Sequence, residues 1–263
     1  MKITVIGAGA MGGALVEGLL KLPGQTAADV TVADPVEATR ERYAQMGATT
    51  MASNAQAVKG SDMVVVVVKP WLAEKVLREI KPALDYDFQT LILIAAGISG
   101  EQVKEWMERD GQQPVSFLAI PNIAIAQLAS MTFVVPIKAQ PVDTEEVKTL
   151  FDALGETIVT EERLLPAGTT LASCGIAYAM RYVRAAAEGG VELGFKANDA
   201  KDIVLQTMKG AVALLQATHE HPEQAIDRVT TPGGVTIRGL NEMEHAGFTS
   251  AVIRGLKAGL KSN

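Results

Sequence analysis

Two stretches of the chain have residue types and spacings that suit chemistry better than packing. Gly7-Ala8-Gly9-Ala10-Met11-Gly12 spells G-x-G-x-x-G, and Thr230-Thr231-Pro232-Gly233-Gly234-Val235-Thr236 sets proline and paired glycines ahead of a helical rhythm at Ile237, Leu240 and Met243. In the second stretch Pro232 fixes its own φ and donates no hydrogen bond, while Gly233 and Gly234 can reach φ > 0 and let a ligand approach the main chain. The spacing predicts outward-pointing N–H groups on Gly234, Val235 and Thr236 at a helix start, where unpaired donors and the helix dipole favour an anion such as a carboxylate. An ordinary Gly-Pro turn before a helix has the same spacing.

The first stretch is a phosphate-binding turn if a strand precedes it and a helix follows. Residues 2–6 are a β-branched run, and Met11, Leu15, Leu19 and Leu20 recur at helical spacing. In that context Gly7 permits the tight turn, Gly9 lets backbone approach a pyrophosphate, and Gly12 lets helix and strand pack closely, with Ala8, Ala10 and Met11 completing the wall. A second strand, 30–33, ends in Asp34, where an acidic residue meets the adenosine ribose. The alternative is a purely structural glycine-rich turn.

These turns need a scaffold, and the apolar pattern supplies one. Helices are expected at 36–46, 55–58, 72–80, 101–109 and 145–154, and strands at 63–68, 90–94, 115–120, 131–137 and 157–160. Strands bounded by helices imply a parallel sheet, and the run 63–68 is apolar throughout, as a strand covered on both faces requires. It ends at Val68-Lys69-Pro70 and the next at Ala95-Ala96-Gly97, both at carboxyl edges where open α/β sheets bind ligands. Lys69 serves there as a cation for ribose or phosphate, or is a solvated loop lysine.

From about residue 164 the β-branched runs stop. Ile176, Met180, Val183, Ala187 and Val191 share one helical face, and Val204, Met208, Ala211 and Leu215 another. The fold class is therefore α/β: a Rossmann-type domain with a mostly parallel sheet over residues 1–160, then an all-α domain over 161–263. Gly175, Gly189 and Gly190 allow another helix to approach closely, which makes dimerisation a hypothesis.

Composition narrows the function classes. A chain of 263 residues with net charge −6 and no Lys/Arg block lacks the footprint of a nucleic-acid binder. The longest uninterrupted aliphatic run is far too short to span a membrane. A single cysteine, Cys174, excludes an intrachain disulfide, is expected to be a buried small hydrophobe, and suits a reducing compartment such as the cytoplasm. His219, His221 and His245 lack neighbours at metal-ligand spacing, so no metal is expected and capping roles are favoured. No Gly-x-Ser-x-Gly elbow supports hydrolase chemistry.

With both ends read, the sequence resembles the pyrroline-5-carboxylate reductase family over nearly its whole length. The most specific part is Asp227-Arg228-Val229-Thr230-Thr231-Pro232-Gly233-Gly234-Val235-Thr236, followed by Gly239-Leu240 and Glu244. The turn 7–12, Val68-Lys69-Pro70, Ala95-Ala96-Gly97, Pro121-Asn122 and Ala177-Tyr178 also match. The family usually has Ser at the position of Thr231, Thr-Pro where this chain has Ile123-Ala124, and Ser-Gly-Pro where it has Cys174-Gly175-Ile176.

The resemblance implies a Rossmann domain for NADPH, a helical domain that dimerises, and reduction of the cyclic imine 1-pyrroline-5-carboxylate to L-proline. It implies Gly233, Gly234, Val235 and Thr236 as the substrate loop, Thr236 as the catalytic hydroxyl, and Asn54 near the adenosine end of the cofactor. Asp34 favours NADH, whereas the family tends toward NADPH; Arg40 and Arg42 would neutralise a 2′-phosphate if their helix turns them back. The rivals are a 3-hydroxyacid dehydrogenase-like oxidoreductase and a non-catalytic dinucleotide-sensing module. The former needs a lysine on its long interdomain helix, and none lies between Lys148 and Lys196.

Overall fold

The first β-branched run forms β1 (Ile3–Ile6), and the turn after it opens α1 (Ala10–Leu19). Then follow β2 (Val30–Ala33), α2 (Glu37–Gln45), β3 (Thr49–Met51), α3 (Asn54–Ala57), β4 (Met63–Val66), α4 (Pro70–Ile80), β5 (Thr90–Leu93), α5 (Gly100–Met107) and β6 (Val115–Ile120). The series ends with β7 (Ser130–Lys138), α6 (Pro141–Asp152), β8 (Gly155–Val159) and α7 (Leu165–Gly168). This computed structural model describes residues 1–260, and the chain divides into a unit Met1–Ile176 and a second from Ala177 onward.

The strands form one sheet in the order β3-β2-β1-β4-β5-β6-β7-β8. All neighbours are parallel except β6 and β7, which run antiparallel. The sheet is mostly parallel, as expected, and the cause of its one reversal is chain length. Residues 121–129, holding only a 3₁₀ turn (Ile123–Gln127), separate β6 from β7, whereas a parallel crossover needs a dozen residues or more.

Strand β4 shows why the run 63–68 had to be apolar throughout. Met63 and Val65 join the core under α1, α2 and α6, while Val64 and Val66 join the opposite core under α4 and α5. Its ladder stops at Val66, but Val67 still donates to the Ile6 carbonyl at 2.8 Å, so the chain stays against β1 until it reaches the glycine turn.

In the second unit α8 (Gly175–Glu192), whose first residues lie before the division, follows a π-helical turn at Thr169–Ser173. Then come α9 (Ala197–Thr218), α10 (Pro222–Arg228), α11 (Val235–His245) and α12 (Phe248–Ala258). His219 ends α9 in the left-handed conformation, and His221 caps α10 by accepting from the Glu223 amide, so both histidines sit at helix ends. Cys174 is half-buried. Among the described residues no helix is long and apolar enough to cross a membrane, and no cluster of three metal-ligating side chains occurs.

Candidate functional site

The turn between β1 and α1 is shaped by backbone touching backbone. Gly7 has φ +89°, and a Cβ there would lie 2.3 Å from the Val67 carbonyl oxygen. A Cβ on Gly12 would lie 1.8 Å from the Gly7 oxygen, a contact no rotamer change relieves. Gly9 is different, because nothing comes within 4 Å of its would-be Cβ. Gly9 is also the N-cap of α1, with no side chain capping it, and its carbonyl accepts from Gly13 N at 2.7 Å. The open side of Gly9 and the orphan donors of the first turn, Ala10 and Met11 among them, therefore coincide. These are the properties a pyrophosphate requires, so the residues fit a dinucleotide.

A hollow of about 210 Å³ opens beside this helix start, lined by Ala8, Gly9, Ala14, Glu17, Arg42 and Tyr43 among others. Tyr43 was not apparent from the sequence as part of this region. Its hydroxyl would lie 2.4 Å from a Cβ on Gly13, so the glycine following the motif is the signal that could have revealed it. Burial is the main cause pushing the Tyr43 phenol above its ordinary range, opposed by neighbouring Arg42 and reinforced by Glu17 and Asp34.

At the carboxyl edge of β2, Asp34 is buried. Its Oδ2 accepts from Ala8 N at 2.8 Å and its Oδ1 from Val36 N at 2.9 Å. Arg40 turns back onto the same edge, donating from Nη1 to the carbonyls of Asp34 and Pro35 at 2.8 and 2.9 Å. Arg42 instead pairs with Glu17 at 2.6 Å.

The remaining candidates of this unit lie on neighbouring strand edges. Val68 Cγ1 would be 3.0 Å from a Cβ on Gly7, which places Val68-Lys69-Pro70 directly beside the turn; Lys69 is exposed and is the N-cap of α4. Ala95 is buried, while Ala96 and Gly97 are exposed after β5, and Gly97 has φ +78° with open space around it. Asn54 opens α3 and donates to Glu79 at 3.1 Å. After β6 the Asn122 carboxamide accepts from Ala124 N at 3.0 Å. A proline at 124 would have no N–H to give, so this bond belongs to the Ile123-Ala124 variant of the motif.

The Pro-Gly-Gly loop belongs to the second unit. Gly234 N donates to the Thr231 carbonyl at 2.9 Å, and Gly233 between them has φ +70°, the signature of a type II turn with Pro232 at its second position. The Gly234 donor is therefore used inside the turn, which corrects the expectation that it points outward. Gly234 is the N-cap of α11 and has no side-chain cap, so the first-turn donors of Val235 and Thr236 are the ones without intrahelical partners. A Cβ on Gly234 would lie 2.4 Å from Thr231 Oγ1, whereas nothing approaches Gly233. Val235 is 76% exposed.

A doubly wound sheet with this glycine turn, followed by a helical unit carrying an anion-ready loop, defines the class of NAD(P)-dependent oxidoreductases with a helical second domain. Comparisons with known proteins then narrow the class. Residues 162–263 match the family model "Pyrroline-5-carboxylate reductase dimerisation", and residues 2–98 match "NADP oxidoreductase coenzyme F420-dependent". The chain is 31% identical to pyrroline-5-carboxylate reductase 2 of Dictyostelium discoideum, covering 97% of this chain and 89% of that one. It is 38% identical to that organism's reductase 1, of which it spans about half, 48%. The crystal structure of the Plasmodium falciparum pyrroline carboxylate reductase with NADP bound superposes with a TM-score of 0.88 at 25% identity, covering 99% of this chain and 96% of that one. The Streptococcus pyogenes 1-pyrroline-5-carboxylate reductase gives 0.84 at 29%, covering 99% and 96%. The chain belongs to the pyrroline-5-carboxylate reductase family.

Proposed function

We propose that the protein reduces 1-pyrroline-5-carboxylate to L-proline with NADPH as the hydride donor and NADH as the alternative. The observation that carries this reading is the Thr231–Gly234 turn feeding α11, because it leaves backbone donors on Val235 and Thr236 at a helix start, where a small carboxylate binds. In the resembling family this loop holds the substrate. Gly233 contributes by its conformation, and Gly234 by leaving room beside Thr231.

A bound nicotinamide would supply the hydride for the imine carbon. The chain's own residues bind and orient. The Val235 and Thr236 amides hold the ring carboxylate, and the Thr236 hydroxyl hydrogen-bonds the ring nitrogen as its electron density changes. A threonine hydroxyl is too weak an acid to deliver a proton alone, so the imine enters protonated or receives its proton through water. Orientation of the bound imine supplies most of the acceleration. On the cofactor side Gly7 to Gly12 would hold the pyrophosphate, Val68-Lys69-Pro70 and Ala95-Ala96-Gly97 would wall the ribose and nicotinamide, and Asn54 would serve the adenosine end.

The functional division falls at 160/161, next to residue 162 where the dimerisation model begins. That model, and the apolar residues of α9 left in solvent (Ile203, Leu205, Val212 and Leu214), support a homodimer or larger homo-oligomer; the composition supports a cytoplasmic enzyme. The test is NADPH oxidation with 1-pyrroline-5-carboxylate, the same ring lacking its carboxylate, and a 3-oxo acid. Turnover of the first, a much raised KM for the second and none of the third are expected. Turnover of the 3-oxo acid with none of either imine would replace this reading by a 3-hydroxyacid dehydrogenase, and tight NADPH binding with no turnover of anything would replace it by a sensor.

A further inference from the structure

Asp34 follows β2, and Arg40, six residues on in α2, reaches back to the main chain of the same edge; their hydrogen bonds give them different tasks. We infer that Arg40 is the residue that selects the coenzyme by taking a 2′-phosphate, while Asp34 is a positioning residue that shapes the glycine turn and does not read the ribose. The inference rests on the dinucleotide-binding reading above and names the residues that read the adenosine end.

Asp34 faces inward. Both of its oxygens accept from main-chain amides, Ala8 in the glycine turn and Val36 in the loop after β2, at 2.8 and 2.9 Å, and the residue keeps only 8% of its surface in solvent. The bond to Val36, two residues on, is the Asx-turn that an Asp-Pro pair favours. The bond to Ala8 reaches across from β2 to the neighbouring β1 and fixes the turn just before Gly9. A carboxylate doing this stabilises the shape that any dinucleotide needs, whether or not its ribose is phosphorylated. Neighbouring backbone agrees, since Gly7 N donates to the Ala33 carbonyl at 2.8 Å on the same edge.

Arg40 is half-buried and lies on the main chain of the same edge. Nη1 uses its two hydrogens on the carbonyls of Asp34 and Pro35, which anchors the guanidinium at this edge. A guanidinium has five N–H donors in a planar fork, so three remain on Nε and Nη2, and among the described residues they meet no acceptor. A planar fork with free donors matches a phosphate better than a ribose diol. Arg42, the other basic residue of α2, is occupied by Glu17 and does not share this position.

The test uses the full-length protein and two adenosine probes, 2′,5′-ADP and 5′-AMP, measured by calorimetry, alongside kcat/KM for NADPH and NADH. Arg40→Met should weaken 2′,5′-ADP and lower kcat/KM for NADPH at least 10-fold while 5′-AMP and NADH stay within about twofold, and Arg40→Lys should recover part of the loss. Asp34→Asn should weaken both probes by a similar factor and leave their ratio unchanged. An unchanged probe ratio in a folded Arg40→Met protein overturns the role of Arg40. An Asp34→Asn protein that loses 5′-AMP and NADH while gaining 2′,5′-ADP and NADPH overturns the role of Asp34, because that is how a ribose ligand behaves. Wild-type protein that binds neither probe nor either coenzyme would instead sink the dinucleotide-binding reading itself.

Discussion

Val64 on a central strand of the sheet-bearing unit is completely covered, whereas Val212 on α9 of the helical unit leaves 52% of its surface in solvent. The contrast holds throughout. Tyr43, Phe117, Phe151 and the aliphatic strands of the first unit are closed from water, while among the described residues of the second unit only Ala200 is buried. Yet α9 is apolar on more than one face: Val204, Met208 and Leu215 are half-buried, and Ile203, Leu205, Val212 and Leu214 are exposed. A helix of that kind needs a second apolar surface to cover it. The sheet unit completes its core alone, whereas the helical unit leaves an apolar surface, which the proposed association with another copy would cover.

That comparison can be broken at several points. The largest effect is expected from Val212→Asp, since a charge forced into an apolar contact between copies costs about 3 to 5 kcal/mol. Sedimentation should then show association weakened 100-fold or more, and an unchanged mass at micromolar concentration would remove the second copy from the explanation. Gly190 is a poorer place to probe the contact, because its Cβ would lie 2.9 Å from that of Ala200 on α9 of the same chain. The glycine there serves packing within the unit.

Next in size is Gly12→Ala in the sheet unit. A methyl group 1.8 Å from a carbonyl oxygen has to move main chain, at a cost on the order of 3 kcal/mol. Thermal melting should register the loss and calorimetry the failure to bind coenzyme, while Gly189→Ala, with open space around it, should melt normally. Equal melting of the two variants would contradict the geometry of the turn.

Thr236→Ala comes third. Losing one hydrogen bond to a charged nitrogen costs on the order of 1 to 3 kcal/mol, so turnover should fall roughly 10- to 100-fold with coenzyme affinity intact. Thr236→Ser should keep most activity and Val235→Ala nearly all. Near-wild-type turnover in a well-folded Thr236→Ala protein would exclude its side chain from the reaction.

The smallest effect is one of pH. Burial raises the phenols of Tyr43 and Tyr86 above their ordinary value, so their contribution to stability is present below about pH 10 and lost as the pH rises beyond it. Between pH 9 and 11 the melting temperature of Tyr43→Phe should therefore drop less than that of the wild type. Parallel loss in both proteins would assign the alkaline sensitivity elsewhere.

Much of the sheet was legible because strands covered on both faces advertise themselves as unbroken aliphatic runs. Strand β3 was missed, since Thr49-Thr50-Met51 offers three residues with no alternation. The reversal of β7 was written in the length of the preceding connection and not in the strand itself. The candidate site divides similarly. Glycines requiring φ > 0 or close backbone approach could be read from their spacing, because the motif exists for that geometry. Which donors remain free could not, as Gly234 shows: a Pro-Gly-Gly string reads as open until the closing bond to Thr231 is seen. Asp34 illustrates the same limit, because residue type gives a carboxylate but not the two amides it faces.

The sheet's margins have one further consequence. β3 offers three residues and β8 five, against nine in β7, so a foreign strand adding at either margin finds few ladder bonds to make. At high concentration the sheet is thus a poor template for growth at either margin. Crowding should therefore not extend the sheet from chain to chain.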